Sequence, residues 1–297
     1  ATKTKIRESK FWLPSQARSR CSAMVKICSC KSLRKLNLPT DQSAYDETAR
    51  TTLQSDSVAV TTSADGHVVT VTMPGGALEA RTATEINAAC LRIQEERDTR
   101  IVVLKSLGPD FCTGLAEDFD PQLVSPDPAT SVSTLKIPVV SLLSGVCSSG
   151  GLEIALASDI RIGTPDSRFS LKEPTQGLLP MWGGTQRLPR AVSHGRAASM
   201  LLLGTEIDAT TAQLWGLLNS IDQGDGVELA KTVELLMACG PLALQMAKEA
   251  VHRGSELPLR DGLRLEGDLN HQLAATDDRA EGLAAFFSKR PPDFSGR

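Results

Sequence analysis

Residues 137–163 carry the tightest constraint in the chain. The apolar, β-branched run over 137–143 (IPVVSLL) reads as a buried strand. Ser148-Ser149-Gly150-Gly151 then turns the backbone, a short apolar helix follows over 152–157, and residues 159–163 return to strand. Elements spaced this closely bury their apolar faces by packing helix against sheet, so the segment predicts a layered α/β core.

The flanking pattern extends that core. Residues 58–61 and 68–73 (VVTVTM) alternate, with Asp65-Gly66 between them, which predicts a hairpin. Ala83, Ile86, Ala89, Cys90 and Ile93 recur at helical spacing and predict an amphipathic helix over 82–96. Residues 101–106 (IVVLKS) predict a second buried strand. Three prolines within 121–131 (PQLVSPDPATS) predict an irregular connection. A shorter strand is expected over 168–171, then a Gly/Pro loop over 177–184 leading into a helix over 185–190. From Arg196 onward the segments 197–203, 209–215, 227–238, 241–251, about 261–273 and 277–288 all read as helix. The expected division is a basic N-terminal arm (1–55), an α/β core (56–195) and a helical C-terminal region (196–297). Periodicity predicts that Val69, Val71, Ile86, Ile93, Val102, Leu104, Val139, Leu142, Ile154 and Ile160 are buried.

Composition narrows the function classes. The chain has 297 residues, 41% apolar and 23% charged, the balance of a globular domain. A net charge of −3 and 4% aromatic residues argue against nucleic-acid binding. No apolar run reaches the length of a membrane span. Seven scattered cysteines read as reduced thiols of an intracellular protein. The near-neutral total hides an asymmetry, because residues 1–40 hold ten Lys/Arg and one acid, Glu8. A basic, Ser-rich, acid-poor stretch of this kind reads as an organellar transit segment, a docking extension or a solvated tail.

Chemistry concentrates in two stretches. At residues 144–162 (SGVCSSGGLEIALASDIRI), small residues precede a helix whose first N–H groups lack intrahelical partners. Gly150 can therefore donate to an oxygen that gains negative charge, or it can simply allow close strand–helix packing. Glu153 sits in an apolar helical run, where a carboxylate is paired, functional or answering the helix dipole. Glu173, before Pro174, reads alone as an ordinary loop carboxylate. Were the two to meet, they could hold and activate a water. The four histidines (67, 194, 252, 271) lack the grouping of metal ligands, so no metal is expected.

These stretches resemble the enoyl-CoA hydratase/isomerase (crotonase) superfamily. SGVCSSGGLEIALASDIRI matches its strand, Gly-rich turn and helix. RFSLKEPTQGLLPMWGGTQRLPR matches its second-glutamate segment and Gly-Gly-Thr-Gln-Arg-Leu loop–helix. IVVLKSLGPDFCTGLAEDF resembles its first oxyanion segment, and TDDRAEGLAAFFSKRPPDFSG its C-terminal Asp-x-x-Glu-Gly motif. The resemblance runs over about 56–296 and implies a crotonase-like spiral of ββα units with a helical C-terminal region. It implies an oxyanion hole from the backbone N–H groups of Leu115 and Gly150, with Glu153 and Glu173 as the catalytic pair that adds water to an enoyl-CoA. Gly114, Gly151, Met181 and Trp182 are implied around the substrate. Coenzyme A enters as part of the acyl-CoA thioester substrate, with no permanently bound cofactor. A homotrimer or hexamer, in fatty acid metabolism, is implied as well, while the basic N-terminal arm by itself suggests the mitochondrial matrix.

The chain also departs from the family pattern. Gly114-Leu115-Ala116 stands where Gly-Ala-Asp is usual, placing a larger side chain at the pocket rim. The early coenzyme-shaping segment is shortened to residues 73–78. Lys172 precedes Glu173 where Pro is common, and either lowers that acid's pKa or faces solvent. Two classes of function follow: an enoyl-CoA hydratase, and a crotonase-fold accessory subunit of a larger mitochondrial assembly, such as a respiratory-chain complex, with weak or no catalysis.

Overall fold

The computed structural model describes residues 57–297. The basic arm over 1–55 lies outside the described residues. The hairpin forms as expected: β1 (Ala59–Thr62) pairs antiparallel with β2 (Val68–Met73). From β2 the chain winds in repeated turns of strand, strand and helix. β2 leads through β3 (Ala77–Leu78) to α1 (Ala80–Glu95), and β4 (Ile101–Ser106) through β5 (Gly114–Leu115) to α2 (Pro128–Ser133). β6 (Val139–Leu143) leads through β7 (Val146–Ser148) to α3 (Gly150–Leu156), and β8 (Ile160–Gly163) through β9 (Arg168–Ser170) to α4 (Gly184–Val192) and α5 (His194–Leu202).

The first strand of each turn joins a six-stranded sheet in the order β1-β2-β4-β6-β8-β11, parallel from β2 onward. The second strand of each turn builds the other layer, as the pair β3-β5 and the sheet β10-β9-β7. An isolated bridge between Cys112 and Cys147 joins these two pieces. This is the crotonase-type spiral of ββα units. It ends in α6 (Ala209–Trp215), α7 (Val227–Met237), α8 (Pro241–Gly254), α9 (Leu259–Leu273) and α10 (Asp277–Ser288). Among the described residues no helix is long and apolar enough to cross a membrane.

Both faces of the main sheet are covered, so its strands are continuous apolar runs. Register aligns Val69, Val102 and Val139 across β2, β4 and β6, all buried in the larger core cluster. The alternate residues Ile101, Val103, Val140 and Ile162 face the other way, into a smaller cluster closed by Val233 of α7. Leu142 and Ile160 lie at that second face. They are half-buried where periodicity predicts full burial, because α7 covers the sheet there only in part.

Three local expectations are corrected. Residues 121–131 are not wholly irregular. Asp127 caps α2 by accepting from the Thr130 N–H at 2.8 Å, and Pro128 takes the first helical position, where its missing N–H costs nothing. Residues 146–148 form β7 before the Gly-rich turn. Beyond Arg196 the chain is not all helix, since β10 (Ile207–Asp208) pairs with β9 and β11 (Ser220–Ile221) pairs with β8.

Candidate active site

The site lies where β5, β7 and β9 end. β7 pairs with β9 in the register Cys147↔Phe169 and Ser148↔Ser170, which sets the start of α3 beside the chain leaving β9 for Glu173. The Cys112–Cys147 bridge brings Gly114 and Leu115 to the same place. The Leu115 loop needs no Asp to hold it. Thr113 N–H donates to the Gly76 carbonyl at 2.9 Å and Ala116 N–H to the Leu78 carbonyl at 3.0 Å, pinning it to β3 on both sides of Leu115.

Gly150 is the first residue of α3, and the residue before it is forced into an unusual conformation. Ser149 has φ +52° and ψ −135°, a left-handed-side geometry that a side chain resists, and makes no capping hydrogen bond. Its N–H donates to the Ser170 carbonyl at 3.2 Å, so the pairing with β9 imposes the turn. Nothing in the sequence pattern marks Ser149 as strained. A side chain at Gly150 is excluded by contact, because its Cβ would sit 2.6 Å from the Trp182 ring and 2.9 Å from a Leu115 methyl. Gly151 faces elsewhere. A Cβ there would sit 2.2 Å from the Cys112 Cβ, so Gly151 packs the helix onto the Cys112 strand and does not line a substrate site.

Glu153 is 3% exposed, in the first turn of α3. Its Oε1 accepts the Trp182 N–H at 2.8 Å and the Gly184 N–H at 2.7 Å. The sequence reading missed both donors, which are backbone groups of a distant loop with no side-chain signature. Burial pushes the Glu153 carboxyl up to about 7; the two amides oppose the rise, and the nearby charge of Glu173 adds to it. Glu173 is itself 8% exposed, at the start of a 3-10 turn over Glu173–Gln176, and among the described residues neither of its carboxylate oxygens has a hydrogen-bond partner. Both acids are thus buried, and the charge of Glu173 is felt at Glu153. Lys172 turns away and pairs with Glu206 at 3.0 Å on the surface.

Trp182 forms a wall of the site. It is buried, its ring tilts against Phe119 with centroids 5.9 Å apart, and its carbonyl accepts from Arg187 at 2.5 Å. Met181 is half-exposed beside it, and Gly114 has φ +142°.

Comparison with known proteins agrees with this architecture. Residues 64–297 match the family model described as enoyl-CoA hydratase/isomerase. The chain is similar to a probable mitochondrial enoyl-CoA hydratase 2 of Arabidopsis thaliana, 35% identical over 218 residues that cover 69% of this chain and 72% of the relative. It is 31% identical over 231 residues to the human mitochondrial enoyl-CoA hydratase domain-containing protein 2, covering 72% of this chain and 79% of the relative. The crystal structure of enoyl-CoA hydratase from Bacillus anthracis superposes with a TM-score of 0.74 at 30% identity, covering 81% of this chain and 99% of that one. The chain belongs to the enoyl-CoA hydratase/isomerase family.

Proposed function

We propose that this protein adds water across the C2–C3 double bond of an enoyl-CoA thioester. One observation carries the reading: among the described residues Glu173 is buried with neither carboxylate oxygen hydrogen-bonded, and its charge helps to raise the pKa of Glu153. A buried carboxylate with no partner is costly, and a site that binds a polar group against it recovers the cost. In the reaction the thioester oxygen accepts from the Leu115 and Gly150 N–H groups as negative charge develops on it. A water held between the two carboxylates loses a proton to the pair and its oxygen bonds to C3. The pair returns a proton to C2, so the atoms of one water are added. A group titrating near 7 gives and takes protons at neutral pH with little penalty in either direction. Coenzyme A is carried as part of the substrate and is not consumed.

The mitochondrial names of two relatives and the basic composition of residues 1–40 support a matrix location. Exposed Leu259, Leu263 and Phe287 on the C-terminal helices support a homotrimer or hexamer, which light scattering would size. A second functional reading, an accessory subunit of a larger mitochondrial assembly, is favoured by the crowding of Gly150 by Trp182 and Leu115.

The test is crotonyl-CoA hydration by single variants. Glu153→Gln and Glu173→Gln should each lower kcat by about 10²–10⁴ with KM little changed. Wild-type turnover at the background rate would favour the accessory-subunit reading.

A further inference from the structure

The clamp on Glu153 is itself held. Its two donors, the Trp182 and Gly184 N–H groups, belong to different peptide planes, and the plane between them carries the Trp182 carbonyl. Arg187 grips that carbonyl with one guanidinium nitrogen at 2.5 Å and reaches the Ser133 hydroxyl, at the end of α2, with another at 3.4 Å. Held in place, the middle plane fixes the backbone torsions on either side and keeps both N–H groups aimed at one carboxylate oxygen. The arrangement requires Gly183. Its φ of +96° favours glycine, and a Cβ there would sit 2.5 Å from the same guanidinium nitrogen. On helix grounds alone the place is a poor one for a cation. Arg187 lies in the first turn of α4, where the dipole disfavours positive charge, and among the described residues no acid pairs with it.

We propose that Arg187 is a positioning residue of the hydration site: by holding the Trp182 carbonyl it keeps the two amides converged on Glu153 and so aims that acid at water. It acts through the loop and not on the substrate. The proposal rests on the hydration reading and adds a residue to it. Without Arg187 the loop relaxes and Glu153 loses amide donors that favour its charged form, while burial and Glu173 still favour its proton. The other elements packed on α3 offer no substitute. The turn over Glu173–Gln176 brings the acid Glu173, and Lys172 before it is spent on Glu206. α4 also carries Arg190, exposed and bonded to the Gln186 carbonyl, and α2 has no charged residue. The nearby thiols of Cys112 and Cys147 are kept neutral by burial.

The experiment takes two readings on the full chain for wild type, Arg187→Met and Arg187→Lys. One is kcat and KM for crotonyl-CoA. The other is the pH at which the folded protein releases the Glu153 proton, read from melts of each protein beside its own Glu153→Gln partner. Arg187→Met should lower kcat by about 10–10²-fold with KM little changed. In wild type the rise in melting temperature on Glu153→Gln should grow with pH and level off just above about 7; in Arg187→Met it should go on growing for about one pH unit more. Arg187→Lys keeps a donor but not the fork, and should fall between the two on both readings. A merely structural arginine would lower every melting temperature and leave the levelling-off point unmoved. An unmoved point overturns the proposal, as does a moved point with wild-type kcat, or Arg187→Lys no better than Arg187→Met on both readings. If Arg187→Met does not fold, Arg187→Lys and Arg187→Gln carry the test. If wild type does not hydrate crotonyl-CoA, the hydration reading fails, and the levelling-off point alone decides whether Arg187 sets the clamp on Glu153.

Discussion

Glu153 and Asp159 sit six residues apart, at the two ends of α3 and its exit turn, and the fold treats them in opposite ways. Asp159, half-buried, is given everything such a carboxylate requires. Its Oδ2 takes the Lys248 ammonium at 2.7 Å and the Val139 N–H at 2.8 Å, and its Oδ1 takes His252 at 2.8 Å. Burial works to raise its pKa, but His252, Lys248 and the amide overcome that and hold it below the ordinary value. Among the described residues Glu153 has two amides and no ion pair, and the charge that acts on it is that of another acid, Glu173. Asp159 fastens α8 to the sheet, whereas Glu153 and Glu173 stay under-partnered where a substrate can complete them. Under the proposed hydration reaction, the difference separates a carboxylate that holds the fold from one available to a substrate.

Substitutions that break or sharpen this contrast fall in a clear order of size. Asp159→Asn leaves the Lys248 ammonium, whose side chain is 9% exposed, with the Ile137 carbonyl and no countercharge, and should cost about 2–4 kcal/mol in denaturant unfolding at pH 7. Because the Asp159 pKa is lowered by folding, its contribution is present above the usual carboxylate range and is lost as pH falls through the lowered value. Glu153→Gln should do the reverse and stabilise. The folded chain keeps the Glu153 proton between the ordinary 4.5 and about 7 while the unfolded chain has released it, so the wild type loses stability as pH rises through that window. The gain from Glu153→Gln is expected to reach about 2–3 kcal/mol at pH 8 and to vanish near pH 4, as read from paired melts. An equal gain at both pH values would contradict the assigned titration. Ser149→Gly should add about 1 kcal/mol by relieving a positive φ, while crotonyl-CoA turnover shows whether the strain aims the Gly150 N–H. Lys172→Ala, at a surface pair, should shift stability by less than about 0.5 kcal/mol and leave hydration unchanged.

Long periodic elements were readable in the sequence because their faces repeat. β2, β4, α1 and the C-terminal helices appear at or near their expected bounds. β3, β5, β7 and β10 span two or three residues, too few for any period to register, yet with β9 they build the second layer that positions Leu115 and Glu173. Pro128 was read as a breaker because proline signals both a stop and a first helical position, and only the Asp127 cap distinguishes them. At the site, both glutamates were visible as residue types in unusual settings. Their meeting was not, because it depends on pairing between β7 and β9. The clamp on Glu153 was invisible for a different reason: any residue at 182 or 184 except proline supplies an N–H.

The central claim is that two acids, inadequately satisfied by the protein alone, act as a unit on water. Its most direct test is the rate of crotonyl-CoA hydration by wild type and by the Glu153→Gln/Glu173→Gln double variant. Wild-type turnover is expected far above background, with the double variant no slower than the worse single variant. Equal rates in the two proteins would contradict it.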